Sequence, residues 1–515
     1  MKKLITLLAA AVLLCAGAYA QQPHNASYPD DPAYKGVAED MKGSVTKFSF
    51  NQSTVYPGTE RDIWVYIPKQ YDGKKPACLL LGMDGILFGA TNVLDYLISS
   101  GEMPVTIGIF INPGLIKNAD GKVVRYNRSN EYDRCDGKFA SFLEKDIIPF
   151  VESQKTADGK AVKISAKAED RAIYGASSGA IASFTVAWFR PDLFSRVYSS
   201  VGTYIPFRGG DNYPALIRKT EPKAIRIFLQ DGLYDSWNPV FGSWYEENRL
   251  MESALDFAGY EMTYKWDRGH HNVAHGSKMF PDAMRWLWKG WPAAVKAGKS
   301  LSDCLPAILP AENNGWELVG NADGALFDRE PRVLTSPSGT SFTAPRGGDI
   351  AAYPGWELLA ESVPGTNWIR SYVLGADGEK LYGQDFYYIH RFAVTTEGCP
   401  QAEAGQYQEP LRPKGRKPAR GMQPEPQPGV APGYRMAFDV QGWLYVATEL
   451  GVQVCDHNGR VRAILDLPAG PVSDLKYEGN VLSVIAGGKI WKRQMLNAGF
   501  DPATKGEAPK SQGQG

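Results

Sequence analysis

The chain has 515 residues, 43% of them hydrophobic, with 56 Lys and Arg balancing 56 Asp and Glu. That length is enough for two or more domains, each with a buried core. The balanced charge, slightly acidic once Lys2 and Lys3 are removed, excludes nucleic acid as a partner, because phosphate binding needs a basic surface.

Residues 1–20 read as a signal peptide. Lys2 and Lys3 give the positive start, Leu4 to Ala18 the apolar stretch, and Ala18-Tyr19-Ala20 an A-x-A cleavage site before Gln21. The apolar run is short for a membrane span of ~20 residues, and no later stretch is long and apolar enough, so no stable membrane insertion is expected. The expectation is a periplasmic or secreted protein. A lipoprotein anchored at Cys15 is disfavoured by Leu14, which stands where a small residue is expected. Cys78, Cys135, Cys304, Cys399 and Cys455 remain after cleavage; their odd number and wide spacing give neither a disulfide framework nor a metal knuckle, and leave room for one disulfide.

Residues 21–42 are polar and without periodicity, and are expected to wrap the surface. Strand signals begin at Val45 to Phe50 and Arg61 to Ile67, separated by the Pro57-Gly58 turn. Ala77 to Gly82 and Val105 to Ile111 are continuous apolar runs, as expected of strands buried on both faces of a parallel sheet. Helical spacing follows at Asn92 to Ser99 and Phe139 to Val151, then a short strand at Arg171 to Tyr174 and a helix at Ile181 to Phe189. Strands at Ala224 to Gln230 and Met262 to Trp266 alternate with helices at Asn248 to Gly259 and Met284 to Trp291. This alternation predicts a doubly wound α/β domain over residues 21–300.

Beyond Pro292 the helical spacing disappears. Gly315-Trp-Glu-Leu318 recurs as Gly355-Trp-Glu-Leu358, 40 residues on, and Asp-Gly-type turns precede alternating runs such as Trp443-Leu-Tyr-Val446. Residues 305–500 therefore read as an all-β, partial or degenerate propeller-like region. The Pro-rich insert 403–432 and the tail 501–515 are too polar to pack and are expected to be disordered.

One stretch organises the first domain. Gly175-Ala-Ser-Ser-Gly179 reads G-x-S-x-G, a strand-to-helix turn that projects a serine hydroxyl and leaves no room for a Cβ beside it. Such a serine needs an acid and a histidine, in that order, later in the chain. Asp235 and, as fallback, Asp231 lie just past the strand that ends at Gln230. Histidine is scarce, with six in the chain, and three of them fall in Gly269-His-His-Asn-Val-Ala-His275. His270, His271 and His275 are thus the candidates, and no further ligands stand at a spacing that would make this a zinc site. In these roles Ser177 attacks an ester carbonyl, the histidine acts as base and then acid, and the aspartate orients it. Backbone N–H groups of Ser178 and of the Asp84-Gly85-Ile86 turn are the candidate oxyanion donors, with Gly85 and Ile86 named for the second.

Over residues 43–292 the chain resembles the esterase group of α/β-hydrolases that holds enterochelin-esterase-like proteins, esterase D and carbohydrate esterase family one. The matching stretches are Pro57 to Arg61, Met83-Asp-Gly85, Asn127 to Asp133, Gly175 to Gly179, Arg190 to Phe194 and Gly269 to Asn272. The resemblance implies Ser177, Asp235 and His271 as the triad, with the doubled His270-His271 leaving the register open by one residue. It further implies that Arg128, Glu131 and Tyr132 border the site. Tyr234, Trp237 and Trp244, close to the acid in sequence, are candidates to line an aromatic acyl or sugar pocket. Residues 437–456 resemble, more weakly, gluconolactonase-like six-bladed propellers, but Pro432-Gly-Tyr-Arg435 lacks the metal-holding Asp of that family.

The expectation is an exported serine esterase acting on a small-molecule or glycan ester, feruloyl, acetyl or siderophore-type, with no cofactor and no metal. The alternatives are a metal-dependent lactonase seated in the second region and a non-catalytic glycan- or siderophore-binding protein.

Overall fold

The computed structural model describes residues 31–391 and 434–509, apart from 314, 325–326, 328–331 and 365. The expected signal peptide and the insert 403–432 lie outside the described residues.

Eight strands form one sheet: β1 (Ser44–Phe50), β2 (Arg61–Ile67), β3 (Cys78–Met83), β4 (Thr106–Ile111), β5 (Arg171–Ala176), β6 (Arg196–Ser200), β7 (Arg226–Tyr234) and β8 (Glu261–His270). Their order is β1-β2-β4-β3-β5-β6-β7-β8. β1, β2 and β4 pair antiparallel, and every pair from β4 onward is parallel. All six residues of β3, β4 and β5 are buried, which is why those segments read as unbroken apolar runs. Helices α1 (Ala90–Ser99), α2 (Ser178–Phe189), α3 (Tyr213–Lys219), α4 (Trp244–Phe257) and α5 (Val273–Trp288) alternate with the strands. Two core clusters, one including Leu79, Leu81 and Ile173 and the other Leu80, Ala172 and Tyr174, take alternate residues of β3 and β5, as period-two side-chain alternation requires. This is the α/β-hydrolase arrangement.

Several local expectations shift. The single helix expected over 139–151 is three segments in series, Lys138–Phe142, a π-turn at Leu143–Ile147, and Ile148–Glu152 with Pro149 in its first turn. β6 was not expected, because Arg196-Val-Tyr-Ser-Ser200 is polar; all five residues are nevertheless buried. Ser199 shares a hydrogen bond with the Tyr204 hydroxyl, and Ser200 donates to Gln230, so their burial leaves no unmet hydroxyl. The four described thiols, Cys78, Cys135, Cys304 and Cys455, are buried and free, and Cys399 lies outside the described residues.

Among its described residues, the second region contains three four-stranded antiparallel sheets and a two-stranded one. The repeated Gly-Trp-Glu-Leu stretches do not occupy equivalent places. The first leads into the edge strand Glu317–Asn321, which pairs with Lys489–Gln494 near the end of the region; the second leads into Leu358–Ser362, inside its sheet. The expectation of a disordered tail from 501 is corrected for the described part: Gly355 N–H donates to Lys505 O, and Trp356 Nε1 to Thr504 O.

The two regions are held together by polar contacts at α3 and the turn after it. Lys223 pairs with Asp466, Arg493 with Glu221, and Thr220 bridges to Ile464.

Candidate active site

Parallel pairing aligns the C-terminal ends of β5, β6, β7 and β8, and the chemistry-bearing residues sit just past those ends. In register, Ala176 faces Ser200, Ser200 faces Gln230, and Asp231 faces Trp266. Ser177 follows β5 directly, with φ 58° and ψ −123°, a backbone conformation strained for a residue with a side chain. The flanking glycines are required sterically. A Cβ on Gly175 would stand 2.3 Å from the Gly179 carbonyl carbon and oxygen, and one on Gly179 would stand 2.9 Å from Met83 Cβ.

His271 lies in the turn between β8 and α5, and Asn272 caps that helix by accepting from Ala274 N–H. Its Nε2 is 2.8 Å from Ser177 Oγ, and its Nδ1 is 2.6 Å from Asp235 Oδ1. The Asp235 side chain is fully buried, while that of His271 is 27% exposed, so the serine end of the chain of contacts opens to solvent. With Nδ1–H donated to the carboxylate, Nε2 is left as an acceptor for the serine proton.

The other histidines do different work. His270 stacks on Tyr234 and its Nδ1 is 3.1 Å from Tyr234 O. His275 is buried, with Nδ1 2.9 Å from Asp267 Oδ1 and 2.6 Å from Gln230 Nε2. Asp231, the fallback acid, is fully buried within β7 and makes no hydrogen bond to His271; its Oδ1 accepts from Gly232 N–H at 2.7 Å.

The oxyanion donors divide. Ser178 opens α2, and neither its N–H nor that of Ile86 has an acceptor among the described residues. Gly85 is a correction: its N–H donates to Ile111 O at 3.1 Å, which commits it to the backbone turn. Asp84 and Gly85 both have positive φ, 59° and 79°, and this double left-handed bend sets the course of the loop. Arg128 holds the loop, with Nε and Nη2 each 2.8 Å from an Asp84 carboxylate oxygen, and Nη2 reaches Ala176 O at 3.4 Å.

Two residues expected to border the site are enclosed behind it. Glu131 is fully enclosed, receiving both terminal nitrogens of buried Arg61 at 2.7 and 3.0 Å, Asn127 Nδ2 at 2.7 Å and Gly114 N–H at 3.1 Å. Tyr132 is buried with its ring against Phe139, and its hydroxyl is 3.5 Å from Asp84 N. Both brace the loop from behind. Tyr234 belongs to an open pocket of about 560 Å³ lined by Leu233, Tyr234, Asp235 and His270, and Trp237 is 70% exposed.

Thr203 escaped the sequence reading. Its Oγ1 is 3.1 Å from Ser177 Oγ and accepts from Trp244 Nε1 at 3.3 Å, while the Trp244 ring stands edge-on to His271 with centroids 5.7 Å apart. Its signal lay in position alone, three residues past a strand that polarity concealed. Among the described residues, no group of three or more His, Cys, Asp or Glu is arranged to hold a metal ion, and no helix is long and apolar enough to cross a membrane.

No curated protein matches the chain. Among solved structures, the enterobactin esterase from Shigella flexneri, in the presence of 2,3-dihydroxy-N-benzoyl-glycine, is 18% identical. That match covers 51% of this chain and 63% of the other, with a TM-score of 0.39, so the chain spans under two thirds of that enzyme's length. A ferulic acid esterase is 16% identical over 48% of this chain and 98% of its own, with a TM-score of 0.36. The feruloyl esterase module from Clostridium thermocellum, complexed with sinapinate, is 15% identical over 52% and 94%, with a TM-score of 0.37. Residues 54–248, the span from the loop before β2 into α4, match the family model described as "Esterase: Putative esterase".

Proposed function

We propose that the chain is an exported serine esterase that hydrolyses carboxylic esters through an acyl-enzyme. The observation that carries this reading is the unbroken run of contacts from Ser177 Oγ through His271 to Asp235, 2.8 and 2.6 Å, at the mouth of the parallel sheet. Ser177 Oγ attacks the ester carbonyl carbon as its proton passes to His271 Nε2, and Asp235 holds the resulting imidazolium. The tetrahedral oxyanion takes the N–H groups of Ser178 and Ile86. Collapse breaks the bond to the alcohol, which leaves with the proton from His271. Water then repeats the attack on the acyl-serine, and the acid is released.

Replacing Ser177 by Ala is expected to abolish hydrolysis of p-nitrophenyl acetate, a loss of at least about 10³-fold in kcat, with the thermal transition unchanged. Retained hydrolysis would overturn the reading. Trp244 beside His271 and the Tyr234–His270 stack support an acyl or alcohol group with a flat ring, as in feruloyl or catecholate esters, over a bare acetyl ester. Ranking kcat/KM across feruloyl, acetyl and catecholate esters tests that preference. Export rests on residues 1–20, and a mature chain beginning at Gln21, measured by mass spectrometry, is its check.

A further inference from the structure

Two buried carboxyls, not one, stand behind His271. Asp235 Oδ1 accepts from His271 Nδ1–H at 2.6 Å and from Ser236 N–H; its Oδ2 is buried with no amide, hydroxyl or cationic donor. Asp231, four residues earlier, has Oδ1 on Gly232 N–H at 2.7 Å, and its Oδ2 is likewise buried with no such donor. The two side chains lie within reach of each other, and among the described residues neither Oδ2 has another partner. An ionised carboxylate only accepts, so a hydrogen bond between two carboxyls requires a proton on one of them.

The surroundings decide which. Asp235 Oδ1 already accepts two N–H groups, that of the imidazole and that of Ser236. Asp231 has a single backbone N–H and no exposure, and it faces Asp235 from the loop after β7 and Asp267 from β8, with His275 of α5 beyond Asp267. Burial first, then the hydrogen bond and charge of Asp235, push the Asp231 carboxyl well above the usual carboxylate range.

We propose that Asp231 is a positioning residue that keeps its proton and donates it to Asp235 Oδ2, so that Asp235 presents Oδ1 to His271 with one negative charge in the pair. The role is distinct from that of the triad acid. Asp231 is fully buried and has no hydrogen bond to His271, and its neutral form fixes the rotamer of the residue that does. When Asp231 ionises at high pH, the donor is lost and a second anion stands beside Asp235, so turnover falls on the alkaline side.

This rests on the esterase reading for its kinetic arm only. Asp231→Asn keeps the geometry, with the amide oxygen on Gly232 N–H and the amide nitrogen donating to Asp235 Oδ2. Its kcat on p-nitrophenyl acetate is expected within about threefold of the parent, whereas Asp231→Ala loses about tenfold or more with KM unchanged. The alkaline fall in kcat expected of the parent should be absent in Asp231→Asn. Independently of activity, the infrared difference spectrum between the parent and Asp231→Asn should contain a protonated-carboxyl C=O stretch that the variant lacks. Absence of that band overturns the proposal, as does an Asp231→Asn variant as impaired as Asp231→Ala with its alkaline limb intact. Should Asp231→Ala fail to fold, the band and the Asp231→Asn pH profile still decide. Retained hydrolysis in Ser177→Ala would instead overturn the esterase reading and leave the infrared result standing.

Discussion

Thr203 Oγ1 lies 3.1 Å from Ser177 Oγ, and it also accepts from Trp244 Nε1–H at 3.3 Å. A hydroxyl has one proton to give. If Ser177 gives its own to His271, then Thr203, already receiving from Trp244, gives its proton to Ser177. The donors therefore run in one direction, Trp244 to Thr203 to Ser177 to His271, and this order holds the serine hydroxyl in the rotamer that faces Nε2. Thr203→Val removes the donor at nearly constant volume. It is expected to lower kcat by about fivefold, the value of roughly 1 kcal/mol of hydrogen bond, with KM little changed. Thr203→Ser should retain most of the activity. Equal rates for the parent and Thr203→Val would refute the arrangement.

Behind the oxyanion loop, the Arg61–Glu131 pair has no exposed side-chain surface on either partner. Removing one member strands the other as an uncompensated buried charge. Glu131→Ala is expected to cost about 3–5 kcal/mol in stability, read as a fall in the urea midpoint. The larger effect should be on the loop, because the same carboxylate holds Gly114 N–H and Asn127. A joint Arg61→Met, Glu131→Leu replacement should recover part of the stability, since neither charge is then left unpaired. A loss below about 1 kcal/mol in Glu131→Ala would mean that water reaches the Arg61 guanidinium.

The contrast between these two residues explains what a sequence reading reaches here. Ser177, Asp235 and His271 each follow a strand end and carry a local signature, a tight G-x-S-x-G turn, a post-strand acid, a rare histidine. Their positions along the chain suffice to nominate them. Glu131 is named for the site only through the resemblance at Asn127 to Asp133; its partner Arg61 is 70 residues away, and only the folded sheet brings them together. Thr203 was passed over because β6 before it reads as polar, its serines being satisfied by Tyr204 and Gln230 across the sheet. In the second region, the strand at 317–321 pairs with the one at 489–494, a closure that no local repeat announces.

Acid carboxyls buried in that second region give it a pH dependence of definite sign. Burial pushes Asp439 up to about 6, against the pull of hydrogen bonds from Trp443 N–H, Asn497, Gln441 N–H and Tyr445; burial likewise pushes Asp349 up to about 6 beside Arg332. An unfolded Asp titrates near 3.9, so between about pH 4 and 6 the folded chain holds protons that the unfolded chain has released. Stability from each group is therefore present below about pH 4 and is lost as pH rises through 6, on the order of 3 kcal/mol per group. Asp439→Asn should flatten this slope in urea midpoints taken across that window. An unchanged slope would mean that Asp439 is ionised throughout.

His390 works in the opposite direction at the contact between the two regions. Lys219 at the end of α3 donates from Nζ to His390 Nε2 at 2.5 Å, and the His390 backbone is bracketed by Gln453, which accepts from its N–H and donates to its O. Burial, and then the Lys219 charge, lower the His390 pKa to about 4, so the folded imidazole stays neutral where an unfolded one, near 6.5, takes up a proton. This contribution is fully present above about pH 6.5 and is lost as pH falls towards 4, as the unfolded chain binds the proton that the folded chain refuses. Its window overlaps that of the aspartates with the reverse sign, so it must be read as a difference between variants. His390→Gln keeps an acceptor for Lys219 and cannot titrate. The parent should lose urea stability relative to this variant as pH is lowered from 7 to 5, and amide exchange in 213–219 should quicken in the parent alone. Parallel pH profiles for the two proteins would show that His390 does not couple acidification to this contact.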